Sequence, residues 1–228
     1  MNVNSNPGNI PFGDDLEFGK MASLNISMPA SLIMNNSEIY NDYQVKMDPW
    51  EMDILDQDFG EARKRKQVKD QSEFDFIMVA SLIDKIPNLA GLSRTCEIMR
   101  ASELVIPSLG LLEEQNFKNI AMTSDKWLPI SEVKPSNLPE YIAMKRLEGY
   151  QIIALEQSSR SCSLQNYEFP LKTCLILGNE REGVPAEILH LVDDCVEIPQ
   201  FGMVRSLNVH VSGSIVLWEA RKQQQLRK

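Results

Sequence analysis

The chain has 228 residues, 43% of them hydrophobic and 24% charged, with 32 acidic against 23 basic side chains and a formal net charge of -9. That is too apolar for a wholly disordered protein and long enough for one sizeable core or two small ones. The acidic balance speaks against nucleic-acid binding by bulk charge, and the lack of any unbroken apolar run of about 18 residues excludes a membrane-spanning helix.

Residues 1–36 are rich in Asn, Ser, Pro, Gly and Met with no sustained period, which predicts a loosely ordered segment. They lack the basic start and apolar block of a secretory leader. An acidic block at 38–58 is followed by the basic cluster Arg63, Lys64, Arg65, Lys66 and Lys69. The cluster fits a solvated helix end or linker, with a nuclear-import or RNA-phosphate contact as the sharper alternative. Residues 1–70 are thus expected to be an accessory extension and 71–228 the folded domain. Cys96, Cys162, Cys174 and Cys195 are widely spaced, without a CxxC pair, which suits a reducing, cytoplasmic setting, with the nucleus left open by the basic cluster.

After Ser72 short apolar runs alternate with helical patterns. Residues 76–83, 103–107, 150–156, 173–178 and 195–199 read as buried strands, bounded by Gly, Pro or polar residues. Helices are predicted at 89–100, 112–122, 138–148, 185–191 and 207–224. The alternation indicates an α/β domain on a mainly parallel sheet. Met78, Met99 and Met122 read as core filling.

Ligands of open α/β sheets bind beyond the carboxyl ends of the strands, so three strand-to-helix turns carry the interest. The first holds Asn88, at the expected capping position of a helix, and Arg94. A plain cap with a surface arginine fits as well. The second, LILGNEREGVP, has Gly178 at the strand end, Glu180 and Glu182 flanking Arg181, Gly183 suited to positive φ, and Pro185 opening a helix. It is neither a GxGxxG fingerprint nor a P-loop, and it also fits a tight turn with surface charge pairs. In the third, IPQFGMVRSLNVHVSG, Ser206 is expected to cap a helix whose first turn holds Asn208, offering free N–H groups to a polar ligand edge. With only His190 and His210, a metal site is not expected. Cys174 and Cys195 sit in apolar runs as small core residues, and no GxSxG elbow supports a serine hydrolase.

In this order and spacing, the 88–94 segment, LGNEREGVP and IPQFGMVRSLNVHVSG resemble the three signature motifs of the SpoU/TrmH branch of the SPOUT RNA methyltransferases, over roughly residues 74–225. ASLIDKIPNLAGLSRTCE, WLPISEVKP, LGNEREGVPAEIL and VEIPQFGMVRSLNVHVSG are similar to the catalytic domain of the eukaryotic tRNA (guanosine-18) 2′-O-methyltransferases, the TAR RNA-binding protein family. The resemblance implies a SPOUT-type sheet with a deep C-terminal trefoil knot, a bent S-adenosylmethionine in the knot, and a homodimer formed through the helix after the first motif and the last helix. The last helix has apolar residues to spare for this: Leu207, Val209, Val211, Ile215, Val216, Leu217 and Trp218. It implies cofactor contacts at Leu177, Gly178, Ile198, Met203, Ser206 and Leu207. Arg94 matches the family's catalytic arginine, and Asn88, Glu180, Ser206 and Asn208 match the polar residues that support it. An arginine is a poor base, with a pKa above about 12, so Arg94 is expected to orient the ribose hydroxyl. The implied activity is 2′-O-methylation of RNA, first of guanosine 18 in the tRNA D-loop. Ribosomal RNA as substrate, or a catalytically weak RNA-binding dimer, remain as alternatives. Two departures stand out: Met99-Arg100-Ala101 occurs where the family has Gly or another small residue, and about 70 residues precede the domain where eukaryotic members carry a long helical-repeat region, as in a fragment of a longer protein or a short paralogue.

Overall fold

The computed structural model describes residues 74–227; the 1–70 extension and its basic cluster lie outside the described residues. Seven strands form one parallel sheet in the order β3-β2-β1-β6-β4-β7-β5. They are β1 (Asp75–Val79), β2 (Glu103–Ile106), β3 (Ile130–Glu132), β4 (Gln151–Leu155), β5 (Cys162–Ser163), β6 (Lys172–Leu177) and β7 (Asp194–Glu197). The α-helices are α1 (Ile86–Ile98), α2 (Gln115–Ala121), α3 (Leu138–Leu147), α4 (Ala186–Leu189) and α5 (Val209–Leu226).

The pleat divides the strands between two cores. Phe76, Met78, Leu175 and Leu177 pack with Leu89 and Leu92 of α1, Phe117 of α2 and Val216 and Leu217 of α5. Ile77, Val79, Cys174 and Ile176 face the other way, toward Leu138 and Ile142 of α3 and Ile188 of α4. Burial on both faces explains why β1, β2, β4 and β6 read as continuous apolar runs, while β7, expected to be buried, has only Val196 fully buried.

Four expectations need correction. The 112–122 helix is split into a 3-10 turn (Leu109–Glu113) and α2, because the Ser108 hydroxyl accepts from the Gly110 amide, the Glu132 carboxylate accepts from Leu109, and Glu114 is extended. The first helix starts at Ile86, earlier than predicted, and the last at Val209, later than predicted. Met122 is not core but 62% exposed, because the chain turns left-handed there (φ 50) and at Thr123 (φ 68). The short strands β3 and β5 carry too few residues to show a pattern.

Arg100 explains one departure from the family pattern. It has φ 54, and the helix ends in a Schellman arrangement in which the Arg100 amide donates to Glu97 and the Ala101 amide to Cys96. Glycine suits that position for conformational reasons, and here an arginine occupies it at some cost in strain.

Helices α1 and α5 cross closely where side chains are missing. A Cβ on Gly91 would lie 2.5 Å from the His210 ring, and one on Gly213 would lie 2.8 Å from Leu92. The His210 Nε2 meets the Thr95 hydroxyl at 3.1 Å, and burial lowers the imidazole's pKa. Gly91→Ala should therefore lower stability by about 1–2 kcal/mol in urea unfolding, the overpacking outweighing the better helix propensity of alanine. Unchanged or raised stability would show that the His210 ring gives way freely.

Candidate active site at the carboxyl edge of the sheet

The ends of β1, β4, β6 and β7 carry four neighbouring loops, and a hydrogen-bond chain joins three of them. Asn88 is not the cap of α1; it lies in the first turn, and Lys85 occupies the cap position without a side-chain bond. The capping acceptor comes from the loop after β6. The Glu180 carboxylate accepts from the Asp84 amide at 3.2 Å, the Lys85 amide at 3.1 Å and the Asn88 Nδ2 at 2.7 Å. Anionic acceptors at a helix start satisfy its free amides and meet its positive end. Partial burial tends to raise the Glu180 pKa, but the bonds from Asn88, Asp84 and Lys85 prevail and hold it below the usual carboxylate range.

The chain continues to the third loop. Asn208 Nδ2 donates to Asn88 Oδ1 at 3.0 Å, while Asn208 Oδ1 accepts from the amides of His210 and Val211. Asn208 is thus itself the cap of α5. Ser206, expected to cap this helix, lies in the exposed loop before it, because the chain is still non-helical there. Asn179 locks the second loop further: its Nδ2 donates to Asp84 Oδ2 and the Leu82 carbonyl, and its Oδ1 accepts from the amide of Arg181.

These loops enclose a cleft of about 670 Å³, within the range of small-molecule sites. Asn88, Leu177, Gly178, Glu180, Ile198, Ser206, Leu207 and Asn208 all line it. Arg94 and Met203 do not. Arg94 is exposed on α1 and makes no hydrogen bond or ion pair with the described residues, and Met203 is 97% exposed. The cleft also takes in Lys85, Glu156, Gln157, Asn179 and Val184, which were not singled out from the sequence. The only sequence signal for Glu156 was a carboxylate closing an apolar strand. Among the described residues no His, Cys, Asp and Glu group could hold a metal, and no helix is long and apolar enough to cross a membrane.

Residues 75–218 match the SpoU rRNA Methylase family. The chain belongs to that family. Over 186 residues this SpoU-family chain is 46% identical to the mouse tRNA (guanosine(18)-2'-O)-methyltransferase TARBP1, a match that covers 81% of the chain but only 12% of the mouse protein. The solved structure of the Aquifex aeolicus TrmH/SpoU tRNA modifying enzyme is 27% identical, with a TM-score of 0.62 over 74% of this chain and 85% of that one. An AdoMet-bound rRNA methyltransferase from Sinorhizobium meliloti shares the fold at 23% identity, with a TM-score of 0.59 over 67% of this chain and 57% of that one.

The pKa directions of Glu180 and His210 fix a pH dependence. A depressed carboxylate contributes stability above its unfolded value, near 4.3, and loses it as pH falls through the folded value; a depressed imidazole loses its contribution as pH falls below about 6.5. Stability should therefore fall in two stages on acidification. Glu180→Gln should be about 1–2 kcal/mol less stable at pH 7, and should shrink the lower stage, to which Glu113 and Glu219 also contribute, while keeping the upper one. A variant whose deficit persists unchanged at pH 3 would contradict the capping account.

Proposed function

We propose that this SpoU-family domain is an S-adenosylmethionine-dependent RNA 2′-O-methyltransferase acting on guanosine 18 in the D-loop of tRNA. The observation that carries the reading is the Asn208–Asn88–Glu180 chain, which brings the three motif loops to one cleft. The 46% identity to the mouse tRNA (guanosine(18)-2'-O)-methyltransferase supports the choice of substrate.

The cleft suits the cofactor chemically. Leu155, Leu177, Val184, Ile198 and Leu207 offer apolar surface for a planar base, and Glu156, Glu180, Glu182 and Glu197, against Lys85 and Arg181, leave an acidic excess that favours a cationic ligand. A Cβ at Gly178 would lie 2.5 Å from the backbone of Gly183, so only glycine leaves the floor of the cleft in this shape. Bound S-adenosylmethionine would supply an electrophilic methyl group on a sulfonium. Leu177, Gly178, Ile198, Ser206 and Leu207 hold it, largely through backbone groups. Asn88, Glu180 and Asn208 keep the loops in register, with Glu180 already committed to three N–H donors. Arg94 orients the ribose 2′-hydroxyl, a weak nucleophile that depends on such placement.

The reading includes a homodimer. Val211, Ile215 and Trp218 leave an exposed apolar stripe on α5, and on α1 Ile98 is exposed one turn from Arg94. Soluble proteins seldom leave such a stripe uncovered. Arg94 then stands at the subunit boundary, outside its own cleft, so its delivery to the substrate depends on assembly. A trefoil knot at the C-terminal end belongs to the same proposal, supported by the insertion of β6 between β1 and β4 and the return of α5 onto α1. Residues 1–70 belong to the same proposal as an accessory extension, and the site of action is the cytoplasm, with the nucleus as the alternative.

The test is calorimetry with S-adenosylmethionine followed by methyl transfer to unmodified tRNA. Binding together with transfer to guanosine 18 is expected; binding without transfer to any RNA would sink the enzyme reading, and transfer to ribosomal RNA alone would sink the substrate. Arg94→Ala should abolish transfer while leaving cofactor affinity nearly intact. Trp218→Glu should convert the dimer to a monomer in sedimentation and remove transfer with it. A fully active monomer would overturn the role given to assembly.

A further inference from the structure

Glu156 follows the last residue of β4 and is anchored there by its own amide, which donates to the Val196 carbonyl of β7 at 3.1 Å. Its carboxylate reaches across to the loop after β6, where Oε2 accepts from the Val184 amide at 2.9 Å. The other oxygen accepts from the Gln157 amide at 2.9 Å, which fixes the carboxylate's orientation. The segment it grips is the closing end of a small hairpin, in which Asn179 and Gly183 exchange both backbone bonds, at 2.9 and 3.0 Å. Gly183 has φ +71, and a Cβ there would lie 2.3 Å from Glu156 Oε2. The hairpin in turn rests on Gly178, the floor of the cleft. Glu180 ties the near end of this loop to α1, and Glu156 ties the far end to the β4–β7 side.

We propose that Glu156 is a positioning residue for the cofactor: it fixes the loop after β6 against the carboxyl ends of β4 and β7 by holding Val184 and the Gly183 turn in place. The inference rests on the cofactor reading of the cleft. It assigns Glu156 no contact with the reacting atoms. A carboxylate that accepts a main-chain amide is a strong, directional restraint, and a small misplacement of a binding wall is costly to affinity. The two oxygens face two N–H donors, so a carboxylate serves both at once, whereas a glutamine amide can present only one acceptor. The substitution series is therefore graded by chemistry and not by size.

Full-length protein carrying Glu156→Ala or Glu156→Gln is compared with wild type in three measurements. Amide hydrogen exchange without ligand should show the 179–185 segment of Glu156→Ala exchanging about tenfold faster or more, with β1 unchanged. Calorimetry should show S-adenosylmethionine binding weakened by about tenfold or more in Glu156→Ala and by less in Glu156→Gln. In methyl transfer the loss should fall on the cofactor KM more than on kcat. Wild-type affinity in Glu156→Ala overturns the inference alone, as does a kcat loss with an unchanged KM, or faster exchange spread equally into β1. Failure of wild type to bind S-adenosylmethionine overturns the cofactor reading and this inference with it.

Discussion

The Glu180 carboxylate is the joint on which the site is built. Helix α1 begins with free amides and no side-chain cap of its own, and the acceptor that satisfies Asp84 and Lys85 comes from a loop almost a hundred residues later in the chain. Asn88 passes the connection to Asn208, which caps α5. A single run of polar groups therefore terminates two helices and closes three loops, and each of those loops has its proper shape only when the others are present. This is why the cleft belongs to the tertiary fold and not to any one motif. It also explains why Glu180 reads as a structural carboxylate: its acceptor positions face main-chain and amide donors of the same protein.

The sheet follows from simpler rules. Strands buried on both faces must be apolar almost throughout, so β1, β2, β4 and β6 were legible as runs bounded by polar or turn residues, whereas β7 buries only Val196 fully and showed itself by its short apolar stretch before Pro199. The close crossing of α1 over α5 depends on Gly91 and Gly213, whose absent side chains admit the His210 ring and Leu92. Those contacts place the α1 start against the α5 start, where Asn88 meets Asn208.

What the sequence could not disclose were choices decided across distance. Asn88 has the residue type of a cap and the position of one in a local reading, yet Glu180 does the capping, and no local pattern contains that information. Ser206 and Asn208 are both cap formers, and only the backbone shows that the helix starts after the second of them. Arg100 looked anomalous as a side chain and becomes intelligible as a left-handed helix terminus. Glu156 was hidden because a glutamate closing an apolar run resembles an ordinary strand end; its partner, Val184, lies 28 residues away. The motif residues were found through resemblance, and most meet in the cleft, whereas Arg94 and Met203 stand outside it within one chain.

On the proposed reading net charge is a weak guide to the substrate class, because it averages over the whole surface and says nothing of where charges cluster. An acidic chain can hold RNA through a local patch or a subunit boundary, and the cleft, with four carboxylates against Lys85 and Arg181, has an acidic excess of its own. Mapping ribose methylation across total RNA from cells with and without the protein tests the central claim most directly. The account predicts loss of the methyl group at guanosine 18 of tRNA; an unchanged guanosine 18, with loss at another position or at none, would contradict it.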